Sequence, residues 1–261
     1  NLFGYYMTRS ASEAFERYVP EKRILLFSRA SYIGMHRFGG IWQGDNASWW
    51  SHLKMNVKMM PSLNMCGFLY TGADVGGFGA DATEDLVLRW LEFAVFTPLL
   101  RNHSARGTRR QEVYRFSHVE KFADVIGVRY QILPYIYSEY MKAALRNTMM
   151  FNPLAFLYGE DALARQVEDQ LFIGENVMVA PVCEQNVSGR AVYFPERMKQ
   201  LIFKNGIVEE AKVYEKGFSY VEMPMGTVHI FLREGYLFPV AKGGKCVEDV
   251  DFEDLKLYSF G

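Results

Sequence analysis

Cysteine is scarce in this chain of 261 residues. Cys66, Cys183 and Cys246 stand far apart, odd in number and without a CxxC pair. That excludes a disulfide framework and points to reduced thiols in a reducing compartment. A cytoplasmic location is the favoured reading, with secretion left open. Histidine is too dispersed for a metal centre: His36, His52, His103, His118 and His229 form neither HxxxH nor HExxH. No zinc site is supported, and no cofactor or metal is expected. Charge of one sign is lacking too, with a formal net charge of -1. The densest basic stretch, "RGTRRQEVYR" (residues 106–115), reads as a solvated loop or helix start rather than a nucleic-acid surface. Long apolar runs are also missing, since "LRWLEFAVFTPLL" is interrupted by Arg89 and Glu92. Neither nucleic acid nor a membrane is therefore expected as a partner.

What is present is core material. Hydrophobic residues make up 49% and aromatics 15%, enough to rule out disorder and to fill one large domain or a medium one plus a small one. In the first part, short apolar runs alternate with helical patterns. "RILLF" (residues 23–27) reads as a buried strand, followed by a helix over about 46–60. "CGFLYTG" (66–72) is the next strand. A helix then starts at Asp81 as N-cap with Glu84 as its capping-box partner, and places Val87, Trp90, Leu91, Ala94 and Val95 on one face. "FTPLLRNH" is a further strand. A long helical stretch over 119–146 carries Pro134 as a kink, and "MMFNPLAF" closes this part as a last strand. Apolar strands separated by helices imply a parallel sheet covered on both faces. After about Tyr158 alternating strands take over, with Asn205-Gly206 as a hairpin signal, and an antiparallel sandwich is expected.

In a parallel α/β domain, chemistry collects on loops at the C-terminal strand ends. Three such loops are well furnished. "SRASYIGMHRFGGIWQGDN" carries Arg29, His36, Arg37, Trp42 and Asp45; "TGADVGGFG" carries Asp74 and Phe78; "RNHS" carries Arg101, Asn102 and His103. Carboxyls, guanidinium groups, an imidazole and aromatic faces on one rim suit a polyhydroxylated ligand, because planar charged groups grip hydroxyls and rings cover apolar sugar faces. Each piece also has a plainer reading. Asp45 between Gly44 and Asn46 is ordinary turn chemistry, Asp74 can serve a glycine-rich turn, and His103 can be a hydrogen-bonded structural residue. Trp42, Trp49 and Trp50 can all be core. "GADVGGFG" is not a phosphate loop, since no Lys-Ser/Thr follows it.

The motifs "SRASYIGMHRFGGIWQGDNASWW", "YTGADVGGFG" and "FTPLLRNHS", in this order, resemble the family 31 glycoside hydrolases, the α-glucosidase and α-xylosidase group. "QLFIGENVMVAPV" and "FLREGYLFPV" resemble that family's sandwich segments, so the likeness runs to about Val240. The resemblance implies the C-terminal half of a (β/α)8 barrel over residues 1–157 and an antiparallel β-sandwich over 158–242. Residues 243–261 would begin a further β segment or tail. It implies retaining hydrolysis of α-glucosidic bonds at the non-reducing end of oligosaccharides. Asp45 matches the family's general acid/base in the Gly-Asp-Asn motif. Arg29 and His103 match residues that hold hydroxyls of the terminal sugar, and Trp42 matches an aromatic wall. Asp74, Phe78 and Arg101 match lining or supporting positions.

The chain departs from the family pattern at one point. A retaining glycosidase needs two carboxyl groups about 5–5.5 Å apart, one of them a nucleophile. The family's nucleophile lies in an Asp-containing motif like "DMNE" on an earlier strand, and no such segment occurs here. Spacing alone would pair Asp45 with Asp74; the family pattern argues against that pairing. Half a barrel leaves open strand edges. The expectation is that this chain is the C-terminal portion of a larger enzyme, whose N-terminal portion is its partner alongside an α-linked oligosaccharide substrate. Homo-oligomerisation is left open. The competing readings are a carbohydrate-binding relative without activity, an α-xylosidase, and a barrel enzyme acting on phosphorylated substrates. The last is disfavoured by the lack of a basic, glycine-rich cradle after "MMFNPLAF".

Overall fold

A computed structural model describes residues 1–261. Its first half is built on four short parallel strands. β1 (Phe27–Ser28) pairs with β2 (Gly40–Ile41), and β3 (Asp74–Val75) pairs with β4 (Arg101–Asn102), both parallel. Backbone bonds join the two pairs: Ile41 N donates to Tyr70 O at 3.2 Å, and Gln43 N donates to Gly72 O at 2.9 Å. The strands therefore run β1-β2-β3-β4. The helices are α1 (Leu2–Tyr18), α2 (Trp50–Met65), α3 (Glu84–Ala94), α4 (Val119–Gln131) and α5 (Leu133–Arg146). α2 and α3 make the crossovers from β2 to β3 and from β3 to β4, because a tight turn cannot return the chain in the same direction. Residues 29–39 join β1 to β2 without an α-helix. The loops that follow β1 to β4 all emerge at one end, which is where Asp45, Asp74 and His103 are found.

Several local expectations are corrected. Only Phe27 and Ser28 of the "RILLF" region form a strand, and Leu25 is 55% exposed rather than buried. β1 is paired on one side only, so the residues leading into it are covered on one side at most. Helix α3 begins at Glu84 with Thr83 as N-cap and no side-chain cap; Asp81 instead accepts a bond from Arg109 N. The 119–146 stretch breaks at Ile132 rather than bending. Pro134 sits in the first turn of α5, where a missing N–H costs no helix bond. The "FTPLLRNH" strand shrinks to Arg101–Asn102.

The "MMFNPLAF" segment is also placed differently. β5 (Phe151–Pro153) is followed by a single turn, α6 (Leu154–Leu157), and belongs to the second half. There it pairs antiparallel with β6 (Leu171–Ile173) at the edge of a six-stranded sheet. The other strands are β7 (Val177–Val179), β8 (Gly189–Phe194), β9 (Met198–Lys204), β10 (Ile207–Tyr214), β11 (Gly217–Glu222), β12 (Val228–Arg233), β13 (Leu237–Ala241) and β14 (Leu255–Ser259). The large sheet has the order β10-β9-β12-β7-β6-β5, with β8–β11 and β13–β14 as separate antiparallel pairs. Asn205 and Gly206 turn β9 into β10 with φ of +50° and +72°, the left-handed pair a two-residue hairpin wants.

The large sheet is buried on both sides. Leu171, Ile173, Val177, Val179, Ile230 and Leu232 join the main core with the helices, whereas Phe172, Met178 and Phe231 join a second core with Val192, Phe194 and Val221 of β8 and β11. Successive side chains of a strand point to opposite faces, so strands covered twice become continuous apolar runs. That is why β6, β7 and β12 lack the polar alternation the sequence reading assigned to this half. Helix α3 is covered twice as well. Beyond the expected Val87, Trp90, Leu91, Ala94 and Val95, the opposite positions Leu88, Arg89 and Phe93 are buried.

Where α3 meets β12, the buried polar groups pair with one another. Arg89 Nη1 donates to Glu92 Oε2 at 2.9 Å, Arg89 Nη2 to Val187 O at 3.1 Å, and Gly226 N to Glu92 Oε1 at 2.7 Å. Beside them His229 receives a bond at Nδ1 from Gln200 Nε2, 2.9 Å away, leaving its Nε2–H to donate to Thr227 Oγ1 at 2.7 Å. Burial, aided by Arg89, pushes His229 down to about 4, and burial pushes Glu92 up to about 7 against the pull of Arg89. A carboxyl whose folded value is raised is favoured while protonated. Its contribution is therefore complete below its ordinary 4.5 and is lost as the pH climbs through about 7. His229 acts in the opposite sense over an overlapping range, so the carboxyl must be isolated by substitution. The Glu92→Gln variant is expected to lose less stability than the parent between pH 5 and pH 8, by on the order of 3 kcal/mol. Urea unfolding at both pH values measures this.

Candidate active site

Gly44 has φ of +84°, a left-handed value that glycine adopts without strain, and it turns the chain sharply just after β2. The carboxyl of Asp45 follows it onto the strand-end rim. There Asp45 Oδ2 accepts a bond from Arg29 Nη2 at 3.0 Å, and the carboxyl stays 41% exposed. The Arg29 guanidinium carbon lies 5.8 Å from the Trp42 ring centroid. That of Arg101 lies 5.5 Å from the same ring and 5.8 Å from the ring of Phe27. Arg101 Nε in turn donates to Asp74 Oδ1 at 2.6 Å. Phe78 and His103 lie with ring centroids 5.2 Å apart at 31°. Thus all seven candidate residues, Arg29, Trp42, Asp45, Asp74, Phe78, Arg101 and His103, gather on the rim formed after the four parallel strands.

The two carboxyls live in different surroundings. Asp74 is fully buried. Burial pushes its carboxyl above the ordinary aspartate value; Arg101 and His103 pull it down, and the negative charge of Asp45 adds a small push up. One oxygen is fixed by Arg101, and the other, Oδ2, is buried without a partner in the chain. Trp42 Nε1 is likewise a buried donor with no acceptor. Unmade bonds of this kind cost roughly 1–3 kcal/mol each, and they suit a site that meets a ligand rich in hydroxyl groups.

Three features escape the sequence reading. Phe27 sits edge-on to Trp42, with ring centroids 6.2 Å apart. Gln111, in the basic stretch read as a solvated loop, is buried. Its Nε2 donates to Gly77 O at 2.9 Å and lies within bonding reach of Val75 O and His103 O. An amide inside a run of arginines gives no periodic signal that it points inward. The third is Asn46, which opens the stretch read as a helix over about 46–60. The N-cap is Trp49, with no side-chain cap bond, and Asn46 is buried between loops. Trp50 packs against the main core, while Trp49 is exposed and sits edge-on to His52. Finally, the glycine loop fits closely against the Asp45 loop: a Cβ on Gly77 would stand 2.4 Å from Ser48 N.

Residues 1–139 match the model of the "Glycosyl hydrolases family 31 TIM-barrel domain", and residues 147–238 match the "Glycosyl hydrolase family 31 C-terminal domain". The chain belongs to glycoside hydrolase family 31. It is 32% identical to Alpha-glucosidase 2 of Bacillus thermoamyloliquefaciens over 90% of its length, and 35% identical to a probable alpha-glucosidase of Oryza sativa subsp. japonica over 75%. It spans 30% and 22% of those two relatives. The Flavobacterium johnsoniae GH31 dextranase complexed with glucose superposes with a TM-score of 0.85 at 26% identity, covering 97% of this chain and 32% of the dextranase. The fold is thus that of this family's barrel and C-terminal β domain.

The Arg101–Asp74 pair makes a testable statement about the site's stability. Removing the arginine strands a buried carboxylate. Arg101→Leu is expected to destabilise the protein by roughly 2–4 kcal/mol, discounted because the arginine side chain is 30% exposed. Chemical denaturation at neutral pH checks it, and the loss should shrink when Asp74→Asn is added.

Proposed function

We propose that this chain supplies the proton-handling and sugar-gripping side of a retaining α-glucosidase acting at the non-reducing end of α-linked oligosaccharides. The observation that carries this reading is the contrast between the two carboxyls. Asp45 is reachable from solvent and held by Arg29, whereas Asp74 is buried and committed to Arg101. A nucleophile must reach the anomeric carbon, so Asp74 is a poor candidate and Asp45 is paired with a carboxylate outside this chain. In the first step that carboxylate attacks the anomeric carbon as Asp45 gives its proton to the departing glycosidic oxygen. In the second, Asp45 takes a proton from water, and the water displaces the enzyme carboxylate, so the anomeric configuration is retained. Arg29 and His103 orient the sugar. The Trp42 ring walls the terminal unit.

The partner carrying the nucleophile is the rest of the barrel. Supporting this, large apolar side chains are exposed along α1 and around the unpaired side of β1. Phe3 is 80% exposed, Met7 60% and Ile33 85%. Large exposed apolar side chains of this kind suit an interaction face. The relatives named above, two called alpha-glucosidases and one a dextranase, support an α-glucan substrate and leave the linkage unspecified.

The test is Asp45→Asn in the protein assembled with the remainder of its barrel. Hydrolysis of an unactivated α-glucoside is expected to fall about 10²–10⁴-fold, the range a positioned acid/base contributes, with the melting temperature unchanged. Turnover within a few-fold of the parent would overturn the assignment. The first-formed sugar, followed by NMR, is expected to be the α-anomer.

A further inference from the structure

Asp45 lies between two residues that both bond to Asn56 of α2, Asn46 to its side chain and Gln43 to its backbone carbonyl, and Asn56 has no place in the chemistry described so far. Asn56 is buried, at 1% exposure. Its Oδ1 accepts a bond from Asn46 Nδ2 at 2.9 Å, and its backbone carbonyl accepts one from Gln43 Nε2 at 3.2 Å. Residues 43 and 46 bracket the Gly44-Asp45 turn. The carboxamide of Asn46 is fully committed: Nδ2 also donates to Asp74 O at 3.1 Å, and Oδ1 accepts from Phe78 N at 2.9 Å. Its backbone carbonyl accepts from Phe78 N and Gly79 N, each at 2.9 Å. The Asp45 loop and the Asp74–Phe78 loop are thus joined through one amide, and Asn56 anchors that amide to α2. Asn46 presents Nδ2 to Asp74 O and Oδ1 to Phe78 N; the acceptor at Asn56 Oδ1 takes the second Nδ2 hydrogen.

We infer that the Asn56 side chain is a positioning group for the proton-transfer carboxyl of Asp45, acting through Asn46; the Gln43 bond goes to the Asn56 main chain and is kept whatever side chain stands there. The inference rests on the acid/base reading of Asp45. A glycine hinge with φ of +84° gives the turn freedom, and bonds on both flanks remove it. Reactions of this kind need the acid within hydrogen-bond reach of the oxygen it protonates, and small displacements cost a large factor in rate.

The test uses leaving-group dependence, which a loss of folded protein does not imitate. In the assembled enzyme, kcat/KM is measured for maltose, whose leaving sugar needs a proton, and for α-glucosyl fluoride, whose departure needs little help. Asn56→Ala is expected to lower the maltose value about 10–100-fold and the fluoride value less than about 3-fold. Asn56→Leu fills the same space without an acceptor and answers the same question should the alanine variant not fold. Asn56→Asp retains an acceptor at this position and is expected to recover most of the maltose rate. Equal losses on both substrates, or no loss on either, would overturn the inference. Asp45→Asn, measured in parallel, separates the two readings. If it lacks the leaving-group dependence, the acid/base assignment fails; if it has it and the Asn56 variants do not, the positioning role alone fails.

Discussion

The ion pair between Asp74 and Arg101 is the interaction on which the site's architecture turns. A carboxylate with no solvent contact requires a cation, and the one it uses sits at the end of the neighbouring parallel strand. The same guanidinium lies over Trp42, just past β2, and over Phe27 of β1. One buried charge therefore ties together the ends of all four parallel strands. The remaining carboxyl, Asp45, is left free of that network apart from Arg29. The two acids differ in burial, although both lie beside glycines and look alike as sequence.

The second half of the chain holds this rim in place from behind. Helix α3 connects the Asp74 loop to the segment leading into Arg101, and it packs on the parallel strands with one side and on the six-stranded sheet with the other. Its Arg89 and Glu92 satisfy each other and the backbone of two sandwich loops, at Val187 and Gly226. The junction of the two halves is thereby specified in direction as well as area, because hydrogen bonds fail on small rotations that apolar contacts tolerate.

How much of this was legible depends on whether the signal was local. The three rim loops, the left-handed Asn205-Gly206 hairpin and the apolar face of α3 follow from residue type and short-range periodicity, and the structure has them. The Gly-Asp-Asn, glycine-loop and Arg-Asn-His motifs that resemble family 31 all fall on that rim. Burial set by distant chain segments was not legible. "RILLF" is apolar but stands at an unpaired edge; "MMFNPLAF" is apolar but joins the antiparallel sheet. Asn46, Asn56 and Gln111 look like ordinary polar residues until the loops around them close. An amide that bridges two loops has partners dozens of residues away, as Asn46 does at Asp74 and Phe78.

The double covering of α3 also bears on the order in which the protein can be completed during synthesis. The buried apolar side chains of residues 84–94 share one core with Val177, Leu201 and Val228 of β7, β9 and β12. As the chain leaves the ribosome, this helix and the strands behind it wait with an apolar surface uncovered until β12 has emerged. Sequence-distant pairing of this sort is slow and leaves the growing chain dependent on protection from other molecules. Within this chain, the barrel segment that carries the rim is therefore made before the sheet that covers it.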